Sequence, residues 1–188
     1  MHKLRIATFL TIVLATAGAG VAMAGGGDGD RGKHRGKGKR ATATLVNAEG
    51  AKVGKVILYQ WRGKVTVAGR VKGLTAGFHG FHIHTVGRCE GPKFESAGGH
   101  LKLDPQSIHG AHTGDMPSLL VNQDGTASAV FETDRFTIRQ LRDADGSAVM
   151  VHAGADNFAN IPSRYGAPDD ETKNTGDAGA RAACGVIR

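Results

Sequence analysis

From residue 41 to residue 152 the chain is largely short runs of small, branched and apolar residues, most of them closed by a turn signal. That pattern favours β structure over helices. Residues 41–47 alternate small or polar with apolar positions, and residues 53–61 and 65–72 are strand-like runs rich in branched side chains. Glu49-Gly50 and Arg62-Gly63 separate them. Alternation with period two places every second side chain on one face, as a strand does. Residues 78–86 form a fourth run. Residues 118–122 and 127–133 flank Gln123-Asp124-Gly125-Thr126, whose Asp-Gly pair favours a tight hairpin turn. Residues 148–152 read as a short apolar strand and 185–187 as a final fragment, while 136–141 fit either a strand or a single helical turn. Many short strands with few helical patterns predict an all-β domain, a sandwich or a Greek-key barrel. Residues 87–117 and 153–183 are too long for plain connections, and loops of that length in a compact domain are usually functional.

The N-terminal residues read as an export signal. Lys3 and Arg5 precede an uncharged apolar stretch over residues 6–21, and Ala22-Met23-Ala24 gives the small-x-small pattern that signal peptidase cuts. Residues 1–24 are therefore expected to be removed, in the periplasm or on secretion. The apolar stretch is short and rich in Ala and Gly, so stable membrane insertion is not expected. Residues 25–40 hold only Gly, Lys, Arg, Asp and one His. Such a segment buries too little surface to offset its ordering entropy, which predicts a disordered linker. It carries six Lys/Arg against two Asp, +4 of the net +7. Lys3 and Arg5 add +2, which leaves +1 for the rest. The basic balance thus belongs to a tail. It suits a solvated spacer or weak, salt-sensitive binding to anionic envelope polymers. Nothing in it argues for nucleic-acid readout.

Residues 41–188 suffice for one domain with its own core. The only cysteines, Cys89 and Cys184, form an even pair in a chain read as exported, which favours one disulfide over two free thiols.

Seven of the nine histidines lie in this domain: His79, His82, His84, His100, His109, His112 and His152. His82 and His84 bracket Ile83 in a strand-like run, so the two imidazoles share one face while Phe81 and Ile83 share the other. His152 ends another apolar run, and His100 sits in a Gly-rich stretch. Four imidazoles suit Cu(II), which favours tetragonal nitrogen sites. His109, His112 and Asp115 follow at three-residue spacing. Two His and a carboxylate make a zinc-type set one ligand short of tetrahedral closure. His100 would complete both sets if it presented one ring nitrogen to each metal. The alternative for the trio is a polar loop with exposed histidines.

Gly80-Phe81-His82-Ile83-His84-Thr85-Val86-Gly87 resembles the copper-ligand strand of the copper–zinc superoxide dismutase family. Gly176-Asp177-Ala178-Gly179-Ala180-Arg181-Ala182-Ala183-Cys184-Gly185-Val186-Ile187 resembles its C-terminal signature. Ser96-Ala97-Gly98-Gly99-His100 is similar to the bridging-histidine segment, and Val151-His152-Ala153-Gly154-Ala155-Asp156-Asn157 to the last copper-ligand segment, the latter most like secreted actinobacterial members. The resemblance covers residues 41–188.

It implies an eight-stranded Greek-key β-barrel, akin to an immunoglobulin-like sandwich, with one copper and one zinc per subunit on its outside under two loops. Copper would be held by His82, His84, His100 and His152, and zinc by His100, His109, His112 and Asp115. His79 matches a structural histidine, and Asp156 a carboxylate joining a copper ligand to a zinc ligand. The implied activity is conversion of two superoxide anions to oxygen and hydrogen peroxide, protecting against extracytoplasmic oxidative stress. Arg181 would guide the anion, and His100 would hand a proton to the developing peroxide. Lys173 in the second loop would add to the local field, and Asp169, Asp170 and Glu171 would either shape it or simply be solvated. Monomer and homodimer both fit this reading.

One departure stands out. The family usually has more residues between the second and third zinc ligands than Gly110 and Ala111 here. That keeps a copper-only dismutase as the nearest alternative and a non-enzymatic copper carrier as a more distant one.

Overall fold

The computed structural model describes residues 38–188. The expected export signal and residues 25–37 of the expected linker lie outside the described residues. Nine strands are present among the described residues: β1 (Lys39–Asn47), β2 (Lys52–Trp61), β3 (Lys64–Val71), β4 (Gly77–His79), β5 (Phe81–His84), β6 (Leu119–Val121), β7 (Ala127–Thr133), β8 (Ala148–His152) and β9 (Arg181–Val186). One short helix, α1 (Asp170–Thr175), joins them. Seven strands form an antiparallel sheet in the order β5-β8-β9-β1-β2-β3-β7, and β4 and β6 form a second, two-stranded sheet. A tight turn links β6 to β7, with Asn122 and Thr126 hydrogen-bonded across it. Gly80 alone separates β4 from β5, so the chain runs directly from the second sheet back into the first. The larger antiparallel sheet curls into a half-barrel, and the fold is of the all-β class that the sequence implied.

The count of nine instead of eight has a local cause. The single run expected over residues 78–86 changes partner at Gly80. β4 pairs with β6 and β5 with β8, while Gly80 itself bonds to His152 and Gly154. β1 begins at Lys39, two residues before the expected domain boundary, because Lys39 and Arg40 pair with Gln60 and Tyr59. Residues 136–141 yield a single 3-10 turn at Gln140–Arg142, with Phe136, Ile138 and Leu141 buried.

Alternation drives the packing. Val56 and Leu58 of β2, Val65 and Val67 of β3, Phe81 and Ile83 of β5, and Val149 and Val151 of β8 all turn into one core. Full burial of side chains of this size stabilises by about 1.5–3 kcal/mol each. A smaller cluster of Phe94, Ala97, Ala148, Met150 and Cys184 lies apart from it, with Cys89 packed alongside. There the 87–117 loop covers the outer face of β8 and β9. Cys89 and Cys184 are disulfide-bonded, with Cα atoms 5.7 Å apart, and this ties the loop to β9. Among the described residues no helix is long and apolar enough to cross a membrane.

Candidate metal centre

β5 is the edge strand of the larger sheet, and its outer edge is where the loop chemistry arrives. Ile83 N–H donates to the Gly114 carbonyl, Leu101 N–H to the Ile83 carbonyl, and Thr85 N–H to the Gly99 carbonyl, at 2.8, 2.8 and 3.0 Å. These bonds lay two pieces of the 87–117 loop against the strand, so that His100 bridges to His84 and Asp115 to His82. β8 holds the other edge and sets His152 beside the same face. Strand alternation does the rest: Phe81 and Ile83 enter the core, and His82 and His84 face the loops, fully covered.

His82, His84, His100 and His152 are all buried, and each offers one ring nitrogen to a group of four lying within 4.8 Å of one another. In every ring one nitrogen is already engaged. His82 Nε2 lies 2.7 Å from Asp156 Oδ2, His84 Nδ1 donates to the Gly98 carbonyl at 2.9 Å, His100 Nδ1 lies 3.2 Å from Asp115 Oδ1, and His152 Nδ1 donates to the Gly179 carbonyl at 2.9 Å. The opposite nitrogens, His82 Nδ1 and Nε2 of His84, His100 and His152, are buried without a hydrogen-bond partner among the described residues. Four converging orphan acceptors in a dry site are costly unless a cation takes them. The donor set fits copper.

The second set centres on Asp115. Its Oδ1 lies 3.2 Å from His100 Nδ1, 3.2 Å from His109 Nδ1 and 3.5 Å from His112 Nδ1. Among the described residues His109 Nδ1 and His112 Nδ1 form no hydrogen bond despite this closeness. Four donors about 2.0 Å from a tetrahedral zinc would stand about 3.3 Å apart, so these spacings fit that ion. His82 also comes within 4.8 Å of His100, His109 and Asp115. Its free Nδ1 already belongs to the first set, however, whereas His112 has both ring nitrogens unpartnered among the described residues.

Asp156 joins the two sets: its other oxygen lies 2.7 Å from His109 Nε2. The carboxylate is completely buried, and the Phe158 N–H also donates to it. Close packing leaves no room beside it. Gly176 is in the left-handed region (φ 63°), and a side chain there would land on the Asp156 carboxylate and the His109 ring. Gly176 also ends α1, whose first turn is capped by the Asp169 side chain accepting the Thr172 N–H at 2.8 Å. The helix in turn holds the second set, since His109 N–H donates to the Lys173 carbonyl at 2.7 Å.

Arg181 opens β9. Its guanidinium is half-buried and donates to the carbonyls of Phe94 and Gly98, each at 2.6 Å. His79 lies apart from both sets in its bonding. Its ring nitrogens face the carbonyls of His152 and Thr75 at 2.7 and 2.8 Å, which leaves neither for a metal.

The electrostatics of the metal-free residues match a site built to take cations. Burial holds His84 well below the usual imidazole range, with the neighbouring His100 charge acting in the same direction. Burial also takes His100 down to about 3 and His152 to about 4. These rings are neutral at pH 7, the form that ligates. Burial would lower His109 too, but Asp115 and Asp156 outweigh it and raise it to about 9. Burial alone would raise Asp115 and Asp156. Hydrogen bonds to His100, His109 and His112 in one case, and to His109 and His82 in the other, hold both far below the usual carboxylate range.

His82, His84, His100 and His152 thus gather in one set, His100, His109, His112 and Asp115 in a second, and Asp156 bonds to a ring of each, whereas Asp169, Asp170 and Glu171 are exposed to solvent. The sequence reading missed α1 and the start of β9 at Arg181. It also gave no role to Arg135, whose guanidinium reaches the Gly110 and His112 carbonyls. The Asp169-x-x-Thr172 cap was a usable helix signal. Arg135 left none, because its partners lie 23 and 25 residues away.

Comparison with known proteins agrees with this geometry. The family described as copper/zinc superoxide dismutase matches residues 52–187. The "Superoxide dismutase [Cu-Zn]" of Mycobacterium tuberculosis is 43% identical over 166 residues, covering 78% of this chain and 69% of that protein. The protein of the same name from Caulobacter vibrioides is 34% identical, covering 79% and 85%. Among solved structures, a SOD-like protein from Bacillus subtilis superposes with a TM-score of 0.63 at 28% identity, over 77% of this chain and 96% of that one. With its all-β fold, its histidine sets and these relatives, the chain belongs to the copper/zinc superoxide dismutase family.

Proposed function

We propose that His82, His84, His100 and His152 hold the copper, and His100, His109, His112 and Asp115 the zinc, of this superoxide dismutase. The enzyme converts two superoxide anions and two protons to oxygen and hydrogen peroxide. The observation that carries the assignment is the set of four buried, unpartnered ring nitrogens converging beside β5. Copper, when bound, supplies the one-electron chemistry, and the protein supplies geometry and field.

His100 stands between the sets, with Nε2 free on one side and Nδ1 facing Asp115 on the other. It can take up a proton at Nε2 while Nδ1 stays with the second set, which places it to donate to a reduced oxygen species. Asp156 orients His82 and His109 through their outer nitrogens and fixes which nitrogen of each ring faces inward. Arg181, tethered through both terminal nitrogens, offers a fixed positive charge that draws a small anion inward. The disulfide suits an oxidising compartment. With the export signal read from the sequence, it supports action outside the cytoplasm.

Elemental analysis of the reconstituted protein tests the assignment. The wild type should hold one copper and one zinc. His152→Ala should lose copper and keep zinc, and His112→Ala the reverse. A wild type that binds copper but no zinc would favour the copper-only reading.

A further inference from the structure

We propose that Arg135 is a positioning residue for the zinc set, holding the backbone between His109 and His112 so that a two-residue spacer can present both rings to one ion. The inference rests on the zinc assignment above and explains how this chain manages with so short a spacer.

Two residues, Gly110 and Ala111, separate the two histidines, so the turn must be tight and its peptide groups need partners. On one side Asp115 Oδ2 accepts the N–H groups of Gly110 at 2.7 Å and His112 at 3.0 Å, while Oδ1 of the same carboxylate faces the rings. On the other side Arg135 Nη2 donates to the Gly110 carbonyl at 3.2 Å and Nη1 to the His112 carbonyl at 3.1 Å. The same two residues are therefore gripped by their donors and by their acceptors. Phe158 closes a third side. Gly110 has φ 87°, and a Cβ there would come 2.6 Å from the Phe158 carbonyl, whose ring stacks on His109.

The arm that reaches the turn is itself fixed. Arg135 follows β7, its N–H donates to Thr133 Oγ1 at 3.2 Å, and the next residue, Phe136, is buried in the core. The turn is thus tied to the sheet, not only to its own loop. A planar guanidinium offers two donors in a rigid fork, a geometry that lysine cannot reproduce. The Arg135 guanidinium bonds to backbone carbonyls of the turn and not to a ligand side chain, so its effect should appear in zinc retention.

The test uses the full chain loaded with copper and zinc, as wild type, Arg135→Ala and Arg135→Lys. It measures transfer of zinc to a chromogenic chelator, the visible spectrum of Co(II) in the zinc site, and thermal unfolding of the metal-free proteins. Removing such a supporting partner typically weakens metal binding 10–100-fold. Arg135→Ala should release zinc about 10–100-fold more readily, with a changed Co(II) spectrum and a nearly unchanged metal-free unfolding midpoint. Arg135→Lys should fall between. Equal zinc release and identical spectra in all three would overturn the inference, as would a variant whose only defect is a lower metal-free midpoint. A wild type that binds no zinc would overturn the zinc assignment itself, and this inference with it.

Discussion

Arg181 and His84 donate to the same acceptor, the carbonyl of Gly98, at 2.6 and 2.9 Å. The peptide group that orients a ring assigned to copper is therefore also one of the two that anchor the cation assigned to superoxide. Arg181→Ala should lower kcat/KM roughly tenfold or more and flatten its dependence on ionic strength, since electrostatic steering is worth about 10–1000-fold in encounter rate. Arg181→Lys keeps the charge but cannot hold both Phe94 and Gly98, so it should recover only part of the loss. Stopped-flow decay of superoxide at several salt concentrations reads both effects. Wild-type salt dependence in Arg181→Ala would contradict the steering role.

Asp156 bridges His82 and His109 with one oxygen each. Asp156→Asn turns one acceptor into a donor, so one ring loses its partner, and metal retention should drop about 10–100-fold. Gly176→Ala reaches the same carboxylate from the helix side and adds the cost of an alanine at positive φ, about 1–2 kcal/mol. Competition with a chelator and thermal unfolding should show both substitutions weakening the centre. Unchanged metal retention in both would argue against the bridge.

The disulfide holds the loop that carries Phe94 and Gly98 against β9, where Arg181 begins. The bond closes a separation of 95 residues, so Cys89→Ser should cost roughly 2–5 kcal/mol of stability. It should also lower activity at temperatures where the variant is still folded, because the carbonyls that fix Arg181 lose their anchor. Full activity of a folded Cys89→Ser protein would contradict that coupling.

Removing the metals should leave a protein most stable near pH 6.5. His100 at about 3 and His152 at about 4 lie below the unfolded value of about 6.5. As pH falls from 6.5 the unfolded chain takes up protons that the folded chain refuses, and stability declines. His109, raised to about 9, acts in the opposite direction. Its contribution is complete below 6.5 and is lost as pH rises through 9. Thermal unfolding of the chelator-treated protein across pH 4–10 should trace this maximum. A flat profile would contradict it.

Much of this was legible from local sequence. The Gln123–Thr126 turn, the period-two runs and the shared face of His82 and His84 follow from strand geometry alone, and β7 and β8 fall at their expected bounds. The joining of the two metal sets through Asp156 came from family resemblance, because spacing along the chain does not reveal contacts over 74 and 47 residues. α1 escaped notice because its six residues, Asp170–Thr175, have no apolar stripe. The change of partner at Gly80 escaped too, since a single glycine in a strand pattern does not say where the chain turns.

The measurement that bears most directly on the central claim is superoxide dismutation by the full chain loaded with copper and zinc, beside a His82→Ala/His152→Ala control. The account predicts fast turnover in the first and none in the second. A wild type that is replete with copper yet does not dismutate superoxide would contradict it and point to copper storage or carriage instead.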